Sequence, residues 1–276
     1  HGYFYPTTYG DMDVKPVGLF GCAADFNKDD ETLIIDGGDI LQGSAFAYYC
    51  RQVANSPEVI ADIMNDCGYD YYTLGNHDFN YGLEYQAAYR SRNNGVCVCQ
   101  NITDEAGNTL FPWKLHTMKN GLRVGIVGIV TDYVNIWEKE ENLKGIHITD
   151  PFEAAKRALA QMKEQTDLTI CIYHGGFECD LESGAVLSKT TENVGYRICK
   201  ELDFDILLTG YQHMSVHGRE LFGTYTVQPC DNAKEYQYLE VTVTEDKKSI
   251  RSELRQSDPT KGAGLADKYR STENSV

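Results

Sequence analysis

The sequence predicts an α/β domain built around a largely parallel sheet, and three observations carry that prediction. Several apolar, β-branched or aromatic runs have the length of strands; helical stretches lie between them; and four runs close on small residues followed by a side chain able to bind a metal or move a proton. Near-continuous apolar runs mark strands covered on both faces, and their alternation with helices makes the sheet parallel. In such folds ligands gather beyond the carboxyl ends of the strands.

In chain order, "TLIIDGGD" is the first tipped strand and ends at Asp39. "SPEVIADIMNDCG" follows as a helix, with Ser56 as N-cap, Pro57 in the first turn, and an apolar stripe through Val59, Ile60, Ile63, Met64 and Cys67. Gly68 stops it. "YDYYTLGNHD" is the second tipped strand and ends at Asp78, whereas "RVGIVGIVT", from Arg123 to Thr131, is a strand without an evident ligand. In "DPFEAAKRALAQMKEQ", Asp150 and Glu153 stand at capping-box spacing, and Phe152, Ala155, Leu159 and Met162 share one side of a helix. "LTICIYHGG" carries His174 and "FDILLTGYQH" ends at His213. From Gln256 the composition turns to small and charged residues, so 1–255 is expected as the domain and 256–276 as a linker or tail.

A chain of 276 residues can bury a large single core. Its 41 acidic and 25 basic residues give a formal charge of −16, which argues against a nucleic-acid polymer or an anionic membrane as partner. An anionic substrate would need bound cations to attract it. The nine cysteines lie mostly inside apolar runs and read as reduced, buried thiols, Cys97 and Cys99 among them as core residues on one strand. Such usage points to the cytoplasm. No apolar run approaches the roughly 18 residues of a membrane span.

Asp39, Asn76, His77, His174 and His213 offer oxygen and nitrogen donors from separate strand ends, a mixture suited to manganese, iron(II) or zinc rather than calcium. Each fragment alone has an ordinary reading: "GGD" and "GNHD" as turns, His174 as a satisfied core histidine. The chain has only seven histidines, however, and three of them stand at these equivalent strand ends.

Taken together, "HGYFYP", "GDILQGS", "LGNHDFNYG", "YHGGFE" and "TGYQH" resemble the five successive motifs of the calcineurin-like metallophosphoesterases. "TENVGYRIC" before "DILLTG" adds to the likeness, which covers nearly all of residues 1–255 and is strongest to the 5′-nucleotidase and 2′,3′-cyclic-nucleotide phosphodiesterase group. The resemblance implies a four-layer α/β/β/α sandwich, two divalent metal ions (manganese, zinc or iron) in a cleft at the strand ends, and hydrolysis of a nucleotide or similar small phosphate ester. Asp39 would bridge the ions, His1 and His213 would complete one site, and Asn76 and His174 the other. Two cations about 3.5–4 Å apart can polarise a phosphoryl group and hold a hydroxide nucleophile.

By the same resemblance, His77 would be catalytic, facing the leaving oxygen. Asn80 stands where many 5′-nucleotidases of the group have an aspartate, which leans toward the cyclic phosphodiesterases. Asn101, in "CQNI", resembles a position near the substrate phosphate and reads equally well as a plain loop asparagine. A further C-terminal domain often grips the base in this family, and export or the cell surface is the alternative location that the family suggests.

Two departures bear on activity. The family's first motif reads Asp-x-His-Gly, so its pattern places a further aspartate ligand two residues upstream of His1, at the end of another strand. Its last motif reads Gly-His-x-His, where this chain has Gly210, Tyr211, Gln212 and His213. Tyr211 thus stands at a second-metal position as an altered ligand, since a neutral phenol with a pKa of about 10 binds zinc or manganese poorly. The alternative function is a module of the same fold that holds a nucleotide or partner without hydrolysing it. Metal-dependent C–N bond hydrolysis fits the donor types but not "LGNHDFNYG".

Overall fold

The computed structural model describes residues 1–11 and 13–276. In chain order the strands are β1 (Ile35–Asp36), β2 (Tyr71–Tyr72), β3 (Val96–Cys97), β4 (Cys99–Asp104), β5 (Thr109–Phe111), β6 (Lys114–Thr117) and β7 (Arg123–Val130). They continue as β8 (Ile146–Ile148), β9 (Leu168–His174), β10 (Ile206–Thr209), β11 (Val216–Leu221), β12 (Thr224–Gln228), β13 (Glu235–Val243) and β14 (Lys248–Gln256). The helices are α1 (Leu19–Ala23), α2 (Ala45–Gln52), α3 (Glu58–Asp66), α4 (Leu83–Arg92), α5 (Val134–Trp137), α6 (Pro151–Met162), α7 (Gly195–Glu201), α8 (Ala263–Lys268) and α9 (Arg270–Glu273). None is long and apolar enough to cross a membrane among the described residues.

Three separate apolar cores define four layers. β1, β2 and β3 pair in parallel, and a second sheet runs β11-β12-β10-β9-β7-β6, parallel through its centre and antiparallel at both edges. Successive strand residues point to opposite faces. Tyr72 and Leu74 therefore pack under α1 to α4 with Phe20, Phe46, Ile60, Met64 and Tyr89, whereas Tyr71 faces the second sheet. Along β9, Leu168, Ile170 and Ile172 fill the space between the sheets, while Cys171 and Tyr173 pack beneath α6 and α7 with Phe152, Leu159 and Ile198. This alternation explains why these strands are apolar throughout. The four-layer α/β/β/α arrangement implied by the sequence is the one formed.

Local signals hold with small adjustments. Asp150 caps α6 by accepting the N–H groups of Phe152 and Glu153. α3 begins at Glu58 after Pro57, and Ser56 Oγ accepts the Glu58 N–H at 3.2 Å. Gly68 follows with φ 80°, a left-handed position that favours glycine. Cys97 and Cys99 share one core but fall on β3 and β4 rather than on a single strand, because the chain changes sheet at Val98. All nine cysteines are free, seven of them buried.

The segment expected as a linker or tail packs on the domain instead. Ser257 Oγ donates to the Gly18 carbonyl at 2.9 Å, and the Tyr5 hydroxyl donates to Ala266 O at 2.6 Å. Tyr269 stacks on Phe20 and hydrogen-bonds Asp66, so it is buried. Its composition misled because a few apolar side chains, Leu265, Ala266 and Tyr269, seat two short helices.

Candidate metal centre

The loops that follow β1 and β2 meet through glycine. A Cβ on Gly75 would lie 2.1 Å from Asp39 Oδ1, and one on Gly38 would lie 2.6 Å from the Gly75 nitrogen. Asp39 itself has φ 67°, an uncommon left-handed conformation for a non-glycine residue. It is held by Asp78, a buried carboxylate that accepts N–H groups from Asp39, Ile40, Leu41 and Gly75 at 2.7–3.0 Å. Asp78 ended a motif without a role in the sequence; it is the anchor of the loop that presents Asp39.

Asp39, Asn76 and His174 converge. His174 Nδ1 lies 2.7 Å from the Gly37 carbonyl, which can only accept, so Nδ1 carries the proton. The Nε2 lone pair of the neutral ring then faces Asn76 Oδ1 at 3.1 Å and Asp39 Oδ2 at 3.2 Å. With Asn76 in this orientation three acceptors face one another, an arrangement that a proton or a cation between them satisfies. With a proton alone, burial opposes charge on His174, but Asp39 outweighs it and raises the ring's pKa; burial likewise opposes charge on Asp39, and His174 outweighs it and lowers the carboxyl. A divalent cation meets the same need, and the donor set fits it.

A second group shares Asp39. His1 Nε2 lies 2.7 Å from His213 Nε2 and 3.9 Å from Asp39 Oδ2. Donor atoms of His1, Asp39 and His77 all lie within 4.8 Å of one another. Gly43, with φ 115°, leaves room for His1: a Cβ there would come within 2.3 Å of the His1 Cβ. His213, at φ 56°, and Tyr211, at φ 75°, sit on the irregular turn after β10.

Tyr211 lies beside the first group, its ring centroid 5.8 Å from that of His174. Its hydroxyl donates to Glu192 Oε1 at 2.5 Å. Burial, then the Glu192 hydrogen bond and charge, hold the phenol above its ordinary pKa, so it stays neutral. Glu192 was not singled out in the sequence, where nothing marks it apart from its place in "TENVGYRIC".

His77 lies on a 3₁₀ turn, Asn76–Phe79, and its backbone N–H donates to Asp39 Oδ1 at 2.8 Å. Its Nδ1 is 2.8 Å from Asn80 Oδ1. Of the two readings of Asn101, the structure favours the one without a ligand, on strand β4 rather than in a loop. It is fully buried, its Nδ2 donates to the carbonyls of Val130 and Thr149 at 2.7 and 2.9 Å, and its Oδ1 accepts the Val130 N–H at 3.0 Å. Its side-chain N–H groups and oxygen are spent on joining β4 to the end of β7 and to Thr149 after β8, so Asn101 is structural and has no N–H left for a phosphate.

A cleft of about 920 Å³ opens at His1, Asp39, His174 and His213. Its inner walls are apolar, with Ile35 of β1, Ile170 and Ile172 of β9, and Leu239 and Val241 of β13.

Two packed sheets with this donor cluster at their strand ends make a candidate metal centre, and comparison with known proteins supplies the class. The sequence model of the Calcineurin-like phosphoesterase family matches residues 20–215, and the chain belongs to that family. It is 28% identical over 228 residues to the trifunctional nucleotide phosphoesterase YfkN of Bacillus subtilis, covering 74% of this chain and 15% of that protein. It is also 28% identical over 196 residues to a 2′,3′-cyclic-nucleotide 2′-phosphodiesterase/3′-nucleotidase of Yersinia enterocolitica, covering 66% of this chain and 29% of that one. Among solved structures, a Staphylococcus aureus chain assigned as a 5′-nucleotidase superposes with a TM-score of 0.88 at 30% identity, covering 98% of this chain and 56% of its own length. The chain thus spans well under half of the curated relatives it matches. Calcineurin-like phosphoesterases depend on divalent metals, and relatives of this chain act on small nucleotides.

Proposed function

We propose that this chain is the catalytic domain of a phosphoesterase that hydrolyses nucleotides or similar small phosphate esters with two divalent ions, manganese, zinc or iron. The observation that carries the reading is the convergence of possible ligand atoms from Asp39, Asn76 and His174, with His1 3.9 Å from the same Asp39 carboxylate and His213 2.7 Å from His1. Asp39, Asn76 and His174 would hold one ion; Asp39, His1 and His213 the other. When bound, the ions supply positive charge at the phosphoryl group and lower the pKa of a bound water.

The chain's own residues do the rest. The His77 N–H orients Asp39, and the His77 ring stands 4.8 Å from that of His1, where it can exchange a proton with a leaving oxygen. Asn80 beside it supports the cyclic phosphodiesterase branch. The apolar inner half of the cleft suits the upstream strand, with its additional aspartate, that the family resemblance implies; substrate occupies the outer, polar half. A further C-terminal domain would supply base recognition.

A second reading is favoured by one observation: Tyr211 is neutral and committed to Glu192 at a position where the family has a ligand. On that reading the domain binds a nucleotide without hydrolysing it. Metal stoichiometry by calorimetry and elemental analysis, on protein extended to include the upstream aspartate, followed by a manganese-dependent phosphoesterase screen, tests both. Two ions and turnover support the enzyme. One ion or none, with nucleotide binding and no turnover, supports the binding module.

A further inference from the structure

We propose that Glu138 is a positioning residue for His77: acting through Asn80, it fixes which ring nitrogen carries the proton and which stays free. The inference rests on the phosphoesterase reading above. His77 Nδ1 lies 2.8 Å from Asn80 Oδ1, and Asn80 Nδ2 lies 2.6 Å from Glu138 Oε2. The two ends of a carboxamide are nearly the same size, so a histidine alone would accept either one. Glu138 breaks the tie. An ionised carboxylate only accepts, so the amide NH₂ turns toward it and Oδ1 toward the ring. Oδ1 also only accepts, so His77 Nδ1 must be N–H, leaving Nε2 as the nitrogen that exchanges a proton with substrate.

Glu138 is itself held in place. Its Oε1 accepts the Lys139 N–H and an Asn142 Nδ2–H, both at 2.8 Å. Asn142 Nδ2 also lies 3.2 Å from the carbonyl of Asn80, so one side chain ties the segment after α5 to the histidine turn. Glu138, Asn80 and Asn142 are all half-buried, which spares these bonds from full competition with water. The chain of groups runs carboxylate, amide, imidazole, each presenting the only atom its neighbour can use.

Two measurements test this. In zinc-loaded protein with ¹⁵N-labelled histidine at alkaline pH, long-range ¹H–¹⁵N correlation should show His77 protonated at Nδ1, the signal being assigned by its loss in His77→Asn. Glu138→Gln should introduce the other tautomer. Wild-type protein protonated at Nε2 would overturn the proposal.

The second is hydrolysis with manganese of 2′,3′-cyclic AMP, whose leaving alkoxide needs a proton, against bis(p-nitrophenyl) phosphate, whose leaving group does not. Glu138→Gln should lower kcat about tenfold or more on the first, with KM within about twofold and little change on the second, as removal of acid catalysis requires. Asn80→Asp alone opposes two carboxylates and should be impaired. Combined with Glu138→Gln it restores a donor facing an acceptor and should recover most of the activity. Equal loss on both substrates, or a double variant no better than either single one, would overturn the proposal. A wild type inactive on both diesters would remove the cyclic-phosphodiesterase branch of the phosphoesterase reading and leave the monoester branch, while the tautomer still decides the role of Glu138.

Discussion

The carboxylate of Asp78 accepts the backbone N–H of Asp39 at 2.8 Å, fixing the residue that both donor groups share. Four N–H groups depend on that one side chain. Asp78→Ala would strand them in a buried place, where each unmet donor costs about 1–3 kcal/mol. We expect a loss of at least about 3 kcal/mol in urea unfolding, with metal affinity falling further than stability does, because Asp39 would leave its left-handed turn. Asp78→Asn keeps one acceptor and should lose less of both.

Asp36 gives the stability a pH dependence. Burial, and then the charge of Asp78, push its carboxyl up to about 7, and its Oδ2 has no hydrogen-bond partner. A folded pKa above the unfolded one means that the folded state binds the proton more tightly. The contribution is complete below about pH 4 and is lost as pH rises toward 7, by at most about 4 kcal/mol. Asp36→Asn should therefore gain stability relative to wild type on going from pH 5 to pH 8 in metal-free protein, as read by denaturant midpoints. A constant difference across that range would refute the assignment.

Tyr211→His should restore an imidazole beside His174 and release Glu192. In protein carrying the upstream aspartate, manganese titration should then show one more ion per chain, or at least tenfold tighter binding of the weaker ion, with a corresponding rise in turnover. Unchanged stoichiometry and affinity would mean that the phenol does not limit the site.

Tyr269→Ala should cost about 3–5 kcal/mol, the usual range for removing a buried aromatic ring. The loss should appear as a lower thermal midpoint with metal stoichiometry intact, since Tyr269 packs on Phe20 and Asp66 and lies at neither donor group. A neutral result would return residues 256–276 to the status of a tail.

The strand ends were legible because each combined a buried apolar run with a turn and a polar tip, and the structure gathers Asp39, Asn76, His77, His174 and His213 where those runs stop. Helix limits were legible from caps: Asp150 and Gly68 act through local backbone geometry. Asn101 was not, because a buried amide bridging two strands has the same local sequence as one facing a ligand. Glu138 was missed because its partner lies 58 residues away and nothing in "IWEKE" marks an acid as inward-facing. Glu192 was missed for the same reason. Seating of the C-terminal segment escaped composition, since packing depends on where a few side chains land rather than on how many there are.

The distribution of thiols has a practical consequence. Cys50, Cys67 and Cys99 lie in the core under α1 to α4, whereas Cys171 and Cys199 lie beneath α6 and α7; all are buried, and burial raises their pKa values. A thiol in that state reacts with disulfide reagents only when its layer opens. The molecule therefore carries one chemical clock in each outer layer, and comparing labelling rates at the two sets would show which half of the sandwich breathes first and whether metal slows one, the other or both.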